Sequence, residues 1–486
     1  MVDILISNGT IITMNPRRTI IEDGAVAIHD DRIIDVGATH ELRSRYRSDR
    51  VIDASRKVVM PGLFDGHGHA GHGLVKSMGS HRDPLWFEAC ERIYSEGSTE
   101  EFWYAEAMLT ALERLKFGTT CGVTFLGGGD SVMRTDDAVF GDRHCKAIEK
   151  VGIREFLAVG PRRPPFPRKY CRWSGNERRD VMVSFEDQLR TSEQIIRDWH
   201  EKADGRIHIC MMFPVVHPAK DDLEKTKLSM WLAPPEKEIV DQAHAVREST
   251  KKYGVLFAQD GHAKGTVKFA HEKMGILGPD AFLSHSTDLT SEEIEICKLT
   301  DTKIVHNPSA RASIWGHCPV PELIDAGVTV MLGSDGTAPD RSYDMFRHMF
   351  HCMHYQRTHY RDSSYIPPGK VLEMATIDAA RALGLEKELG SIEPGKKADI
   401  ILVNVFKPHT YPLNMPVHRI TYYANGNDVD TVIVNGKVLM EERVVKTVNE
   451  MEVLENAQKE AEAALDRTQL RHLLEIPEKF WGHSRY

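Results

Sequence analysis

"VVMPGLFDGHGHAGHG", residues 58–73, opens as an apolar run and closes on three histidines, His67, His69 and His72, spaced by glycines. A short apolar run bounded by glycine reads as a buried strand whose polar residues gather at its carboxyl end. Alternate residues of a strand point the same way, so His67 and His69 present their imidazoles to one point, and Gly68 lets the backbone pass close. His72 lies past the strand end, where its direction is not fixed. It is expected in the loop or as a partner to a ligand.

Further along the chain, "TTCGVTF", "IREFLAVG", "RIHICMMFP", "YGVLFAQD", "DAFLSHS", "TKIVHNP" and "VTVMLGSDG" repeat the pattern, separated by stretches at helical spacing such as "TEEFWYAEAMLTALERLKFG". With the opening run these make about eight strands, enough to close an α/β fold of the (β/α)₈ type over residues 59–387. Before it, "DILISNGTII" and "GAVAIHDDRIIDVG" read as strands with a tight hairpin at Asp30-Asp31. After it, "GSIEPGKKADIILV" and "VDTVIVNGKVL" carry a second hairpin at Asn435-Gly436. Two or three strands are marginal alone, so residues 1–58 and 388–447 are expected to join in one composite β-sandwich. Residues 448–486 read as a C-terminal helix and tail, packed outside the barrel or against a partner subunit. The proline- and arginine-dense stretch 160–175, "GPRRPPFPRKYCRWSG", reads as a long loop over one end of the barrel.

The 486 residues are 41% hydrophobic and 27% charged with a formal net charge of −9, the balance of a soluble globular protein rather than of a nucleic-acid binder or a disordered chain. No segment approaches the ~20 apolar residues a membrane helix needs. The opening lacks the basic and apolar regions of a signal peptide. Eight cysteines without a C-x-x-C pair argue for free thiols in a reducing compartment, so a cytoplasmic location is expected.

Polar residues at the carboxyl ends of barrel strands are where such folds build active sites. His217, His285, His306 and Asp335 all fall there. An H-x-H pair alone is weak evidence and would usually be a solvated turn; joined to Asp335 on the last strand it reads as a metal site. His217, His306, Trp86, Arg162 and His317 are the candidate substrate contacts, with a purely structural role as the competing reading for each.

"VVMPGLFDGHGH", "LSHSTDLTSEEI", "KIVHNPSA", "PELIDAGVTVMLGSDG" and "MATIDAARALGLEKELGSIEPGKKADIILV" together resemble the amidohydrolase superfamily, in the branch that includes cytosine and guanine deaminases and atrazine chlorohydrolase. The resemblance implies one divalent metal, zinc first with iron or manganese as alternatives, held by His67, His69, a fifth-strand histidine and Asp335. A bound divalent cation lowers the pKa of water toward ~7, while a nearby carboxylate takes its proton. Asp335 is the expected carboxylate, and His285 the group that polarises the water or substrate. The resemblance does not imply a second metal, because relatives with two ions commonly use a carboxylated lysine on the fourth strand and Lys220 lies well past its end. At the fifth strand the chain departs from the pattern: "YGVLFAQDGHAKG" lacks the H-x-x-E of the deaminases. His262 is the favoured replacement ligand, with Gln259 and His217 as alternatives, and Asp260 stands in as the acid that protonates a leaving nitrogen. The expected function is hydrolysis of a carbon–nitrogen bond in a small cyclic or planar substrate by a homodimer or larger homo-oligomer, with no nucleic-acid or membrane partner. A decarboxylase or isomerase on the same fold, or a barrel that has lost its metal, are the competing readings.

Overall fold

In the computed structural model, which describes residues 1–79, 83–128, 132–175, 177–217, 237–476 and 481–482, eight parallel strands follow one another in chain order. They are Leu63–Asp65, Thr119–Phe125, Arg154–Val159, Ile207–Met212, Phe257–Gln259, Ala281–Ser284, Lys303–His306 and Val330–Leu332. Every residue in them except His208 is buried, which is why they read as unbroken apolar runs rather than alternations. The amide of Gly66 donates to Leu332 O (2.8 Å) and that of Asp335 to His67 O (2.9 Å), so the last strand returns beside the first and the barrel is nearly closed.

Both ends of the chain contribute to one nine-stranded sheet. Val2–Ile12 pairs antiparallel with Ile20–His29; its first half runs parallel to Ser48–Asp53 and its second half to Lys57–Pro61. The change of partner falls at a register shift around Gly9, where a Cβ would sit 2.7 Å from Val59 and 2.9 Å from Ala54. Lys57–Pro61 then pairs with Ile400–Asn404, joining the first strands to the last. Ile4, Ile6, Val26, Ile28 and Ile33 share one core with Ile400, Leu402 and Ile433, so the sheet folds over on itself. The two hairpins read from the sequence form as expected, with Asp30, Asn435 and Gly436 all at positive φ.

The third barrel strand is locked to this sheet. Arg154 Nε donates to Asp399 Oδ2 (2.6 Å) and Nη2 to Asp399 Oδ1 (3.1 Å), and Nη2 also donates to the Asn435 side chain. Both members of the ion pair are buried. Removing one side of such a pair strands the other, so Arg154→Met is expected to cost about 3–5 kcal/mol in urea denaturation. A loss below ~1 kcal/mol would mean that the pair behaves like an exposed one.

Stretch 160–175 differs from its reading as a loop. Arg168–Ser174 pairs antiparallel with Glu177–Val183, burying Tyr170 and Cys171. The prolines stop at Pro167, so every amide from Arg168 onward is free to join a ladder. The C-terminal helix, Glu450–Thr468, is capped by Asn449 and lies along helix Glu100–Lys116 of its own chain, burying Val453, Ala457, Ala464 and Leu465.

Candidate metal and active site

The glycine-spaced turn after the first strand is shaped by large side chains pressing on it. A Cβ on Gly68 would lie 2.8 Å from the Arg114 guanidinium, one on Gly71 2.5 Å from the Tyr94 ring, and one on Gly73 2.6 Å from Thr110 and 3.0 Å from Glu106. With the turn pinned in this way, His67 and His69 reach the barrel mouth together. Asp335 arrives from the other side of the seam at φ 63°, and His285 follows the sixth strand at φ 64°. Left-handed backbone at non-glycine residues costs on the order of 1–3 kcal/mol and gathers at functional sites.

Around one point stand three imidazoles and two carboxylates. Asp335 Oδ1 lies 3.1 Å from His69 Nε2, 3.5 Å from His67 Nε2 and 3.7 Å from His285 Nε2. Asp260 Oδ1 lies 3.0 Å from His285 Nε2 and 3.2 Å from His67 Nε2, and its Oδ2 is 3.6 Å from His69 Nε2. The donor atoms of His67, His69 and Asp335, and those of His67, Asp260 and His285, each fall within 4.8 Å of one another. The buried His67 turns Nε2 toward both carboxylates, 3.2 Å from Asp260 and 3.5 Å from Asp335, while its Nδ1 has no hydrogen-bond partner among the described residues. A buried, unsatisfied imidazole facing two carboxylates has the donor chemistry of a cation site.

Electrostatics lead to the same reading. Burial opposes charge on His67, but Asp260 and Asp335 outweigh it and raise its pKa to about 9. Burial also works to raise Asp260 and Asp335, yet His67 and His285 for the first, and Arg341, His285 and hydrogen bonds from His67 and His69 for the second, hold both well below the usual carboxylate range. Two ionised carboxylates buried together demand a positive partner.

Hydrogen bonds fix the roles of two of the rings. His69 Nδ1 donates to Gly127 O (3.1 Å), which turns Nε2 toward the cluster, where it lies 3.1 Å from Asp335 Oδ1 and is placed to ligate a metal. His285 has the opposite arrangement: Asn307 Nδ2 donates to its Nδ1 (3.4 Å), so in the neutral ring the proton sits on Nε2, facing the carboxylates.

The other residues named from the sequence lie around this centre rather than in it. His262 lies outside both donor groups: its Nδ1 meets Thr266 Oγ1 (2.8 Å) and its Nε2 meets Gln259 Oε1 (3.2 Å). Burial, with His217 adding, pushes its pKa down to about 3, so it is neutral. Gln259 is tied through Nε2 to Phe213 O and Pro214 O. The carboxylate that follows it, Asp260, fills the fifth-strand place in the cluster. The reason is the short strand, Phe257–Gln259: the residue directly after it turns to the mouth, and the one three positions past Gln259 has already entered the loop. His217 is mostly buried, its pKa lowered to about 4 by burial and by Arg163. His306 and His317 flank Gln356, which bonds His317 Nε2 (2.8 Å) and approaches His306 Nε2 (3.5 Å). Trp86 stacks edge-on against His72 (5.2 Å between ring centroids), which in turn packs against His69 (4.6 Å). Arg162 faces Glu91 (3.3 Å) and Tyr170. Tyr170 and Trp173 give their polar hydrogens to Met133 O and Glu96 O. Lys220 lies outside the described residues. Sequence reasoning missed Arg341, which holds Asp335 Oδ2 at 3.2 Å from only six positions downstream; the run "GSDGTAPDRS" offered no periodicity from which to place it.

A nearly closed parallel barrel with imidazoles and carboxylates gathered at its carboxyl mouth defines a hydrolase built around a metal-type site. The chain belongs to the amidohydrolase family, which matches residues 58–439, and it is a hydrolase of carbon–nitrogen bonds other than peptide bonds. Residues 24–47 also match an imidazolonepropionase-like composite domain of bacteria. The chain is 30% identical over 469 residues to a 5-methylthioadenosine/S-adenosylhomocysteine deaminase of Thermoanaerobacter pseudethanolicus, covering 96% of this chain and 100% of that one. It is 30% identical over 479 residues to a 5'-deoxyadenosine deaminase of Methanosarcina mazei, covering 96% and 99%. Among solved structures, an adenosine deaminase from Xanthomonas campestris with bound zinc superposes with a TM-score of 0.80 at 21% identity, covering 96% of this chain and 99% of that one. Atrazine chlorohydrolase TrzN from Arthrobacter aurescens TC1, complexed with zinc, superposes with a TM-score of 0.76 at 20% identity, covering 94% and 100%.

Proposed function

We propose that His67, His69, Asp260 and Asp335 hold one divalent cation, zinc first, and that the chain removes an amino group from a planar nitrogen heterocycle of the adenine-nucleoside kind. The observation that carries this reading is the convergence of two carboxylates and three imidazoles on one point at the barrel mouth. Relatives at 30% identity whose names describe deamination of adenine nucleosides supply the substrate class. Bound there, a divalent cation supplies hydroxide from water at neutral pH and draws electrons from the attacked carbon's neighbour.

The chain's own residues divide the remaining work. Asp335 presents Oδ1 to the cluster, while Arg341 fixes Oδ2, so one oxygen is left to take the water proton and pass it on. His285, with its proton on Nε2, donates toward the reacting atom and steadies negative charge there. The Trp86–His72 pair packs behind His69 and keeps water off that side of the ring. His217, His306, His317 and Arg162 stand farther out and are assigned to the substrate.

A second reading comes from the fifth strand. With Asp260 as ligand, the position three residues on is Ala263, which carries no acid. That favours hydrolysis of an amide or cyclic amidine, whose leaving nitrogen can draw its proton from Asp335. Incubating zinc-loaded protein with 5'-deoxyadenosine, adenosine, hydantoin and an N-acylated amine separates the two. Stoichiometric ammonia from the adenine nucleosides is expected; ring opening or free amine without ammonia supports the second reading, and product from none of them refutes both.

The eight cysteines are all buried and unpaired, which supports a reducing compartment such as the cytoplasm. No described helix is long and apolar enough to cross a membrane.

A further inference from the structure

The His67–His69 pair follows the first strand of the barrel and Asp335 the last, and the seam between them carries only a few backbone hydrogen bonds. Asp65, the last residue of the first strand, bridges that seam from inside. Its Oδ1 accepts the amide of Ser334 (2.8 Å), and its Oδ2 accepts the Ser334 hydroxyl (2.8 Å). Ser334 Oγ in turn accepts the amide of Gly336 (3.1 Å). One carboxylate two residues before His67 thus holds both residues that flank Asp335.

A buried cation keeps that carboxylate aligned. Arg114 gives Nη2 (2.8 Å) and Nε (3.2 Å) to Asp65 Oδ2, and Nη1 to Thr124 (2.7 Å) and Glu155 Oε2 (3.1 Å). Arg114 and Asp65 are 1% and 0% exposed. Burial works against the guanidinium, but Tyr343, Asp65 and Glu155 more than restore its hold on the proton. The Tyr343 ring lies under the guanidinium at 4.1 Å, and its hydroxyl donates to His69 O (3.4 Å). The same assembly therefore touches the backbone of H-x-H at His69 and of the residues on either side of Asp335.

We propose that Asp65 is a positioning residue of the cation site: by clamping Ser334, with Arg114 behind it, it sets the distance between the His67–His69 pair and Asp335. This rests on the proposed cation site. It adds that the affinity of that site is set by a residue that touches neither cation nor substrate. An asparagine in its place must turn its NH₂ group either toward the Arg114 guanidinium or toward the Ser334 amide, so a donor faces a donor and the clamp loosens.

The test is zinc affinity, measured by competition with a chromogenic chelator on the full chain, together with the thermal midpoint. Asp65→Asn is expected to weaken zinc binding about 10–100-fold, the usual reach of groups that orient a ligand. Ser334→Ala, which removes only the hydroxyl arm, should weaken it several-fold and serves if Asp65→Asn does not fold. Arg154→Met is the structural control, because it breaks a buried ion pair that makes no contact with Asp65, Arg114 or Ser334. It should lower the thermal midpoint yet leave zinc affinity within about twofold. Equal losses of affinity in Asp65→Asn and Arg154→Met, or unchanged affinity in both Asp65→Asn and Ser334→Ala, would overturn the positioning role. A wild-type chain that binds no zinc would overturn the cation site itself.

Discussion

Asp335→Ala is expected to purify as a folded protein with wild-type circular dichroism, no stoichiometric zinc and activity reduced on the order of 10⁴-fold. The size follows from two roles lost at once. Asp335 Oδ1 faces all three imidazoles at 3.1–3.7 Å, so its removal takes away the anion that balances the cation. It also removes the group proposed as the base for the water proton, and general-base groups alone contribute about 10²–10⁴-fold. The fold should survive, because the seam is held by the Asp65–Ser334 bonds and by backbone pairing that an alanine preserves. Metal analysis of the purified variant decides: about one zinc per chain would remove Asp335 from the ligand set.

The second large effect separates two neighbours on the fifth strand. Asp260→Asn is expected to lower zinc content and activity by at least about 100-fold, whereas His262→Ala keeps its metal and loses no more than about tenfold in rate. Asp260 Oδ1 sits 3.0 Å and 3.2 Å from two ring nitrogens of the cluster. Both nitrogens of His262 are engaged by Thr266 and Gln259. Asp260→His restores an imidazole at this place and should recover zinc binding. Retention of zinc by Asp260→Asn with loss in His262→Ala would return the ligand role to the histidine.

The eight strands were legible because burial on both faces leaves continuous apolar runs, and His67, His69, His285 and Asp335 were legible because each closes such a run. Asp260 was harder to assign. A strand of three residues gives no alternation from which to count directions, so the sequence did not show that the Asp260 carboxylate, rather than the His262 imidazole, reaches the cluster. The Arg168–Val183 hairpin was hidden by the prolines just before it, although Tyr170-Cys171 carried its buried face. Arg341 and Arg114 left no local signal, since each matters only through a carboxylate brought near by folding: Asp335 for the first, Asp65 and Glu155 for the second.

Pairing of Lys57–Pro61 with Ile400–Asn404 has a bearing on how the protein is made. The early strands pair with one another at once, but Lys57–Pro61 must wait for more than three hundred further residues before its neighbour on the other side emerges. During that interval a ribbon rich in isoleucine and valine stands with one edge open, a template for pairing with other nascent copies. Synthesis is therefore the stage at which this edge is least protected, and shifting the first strands to follow residue 445 by circular permutation would shorten that exposure.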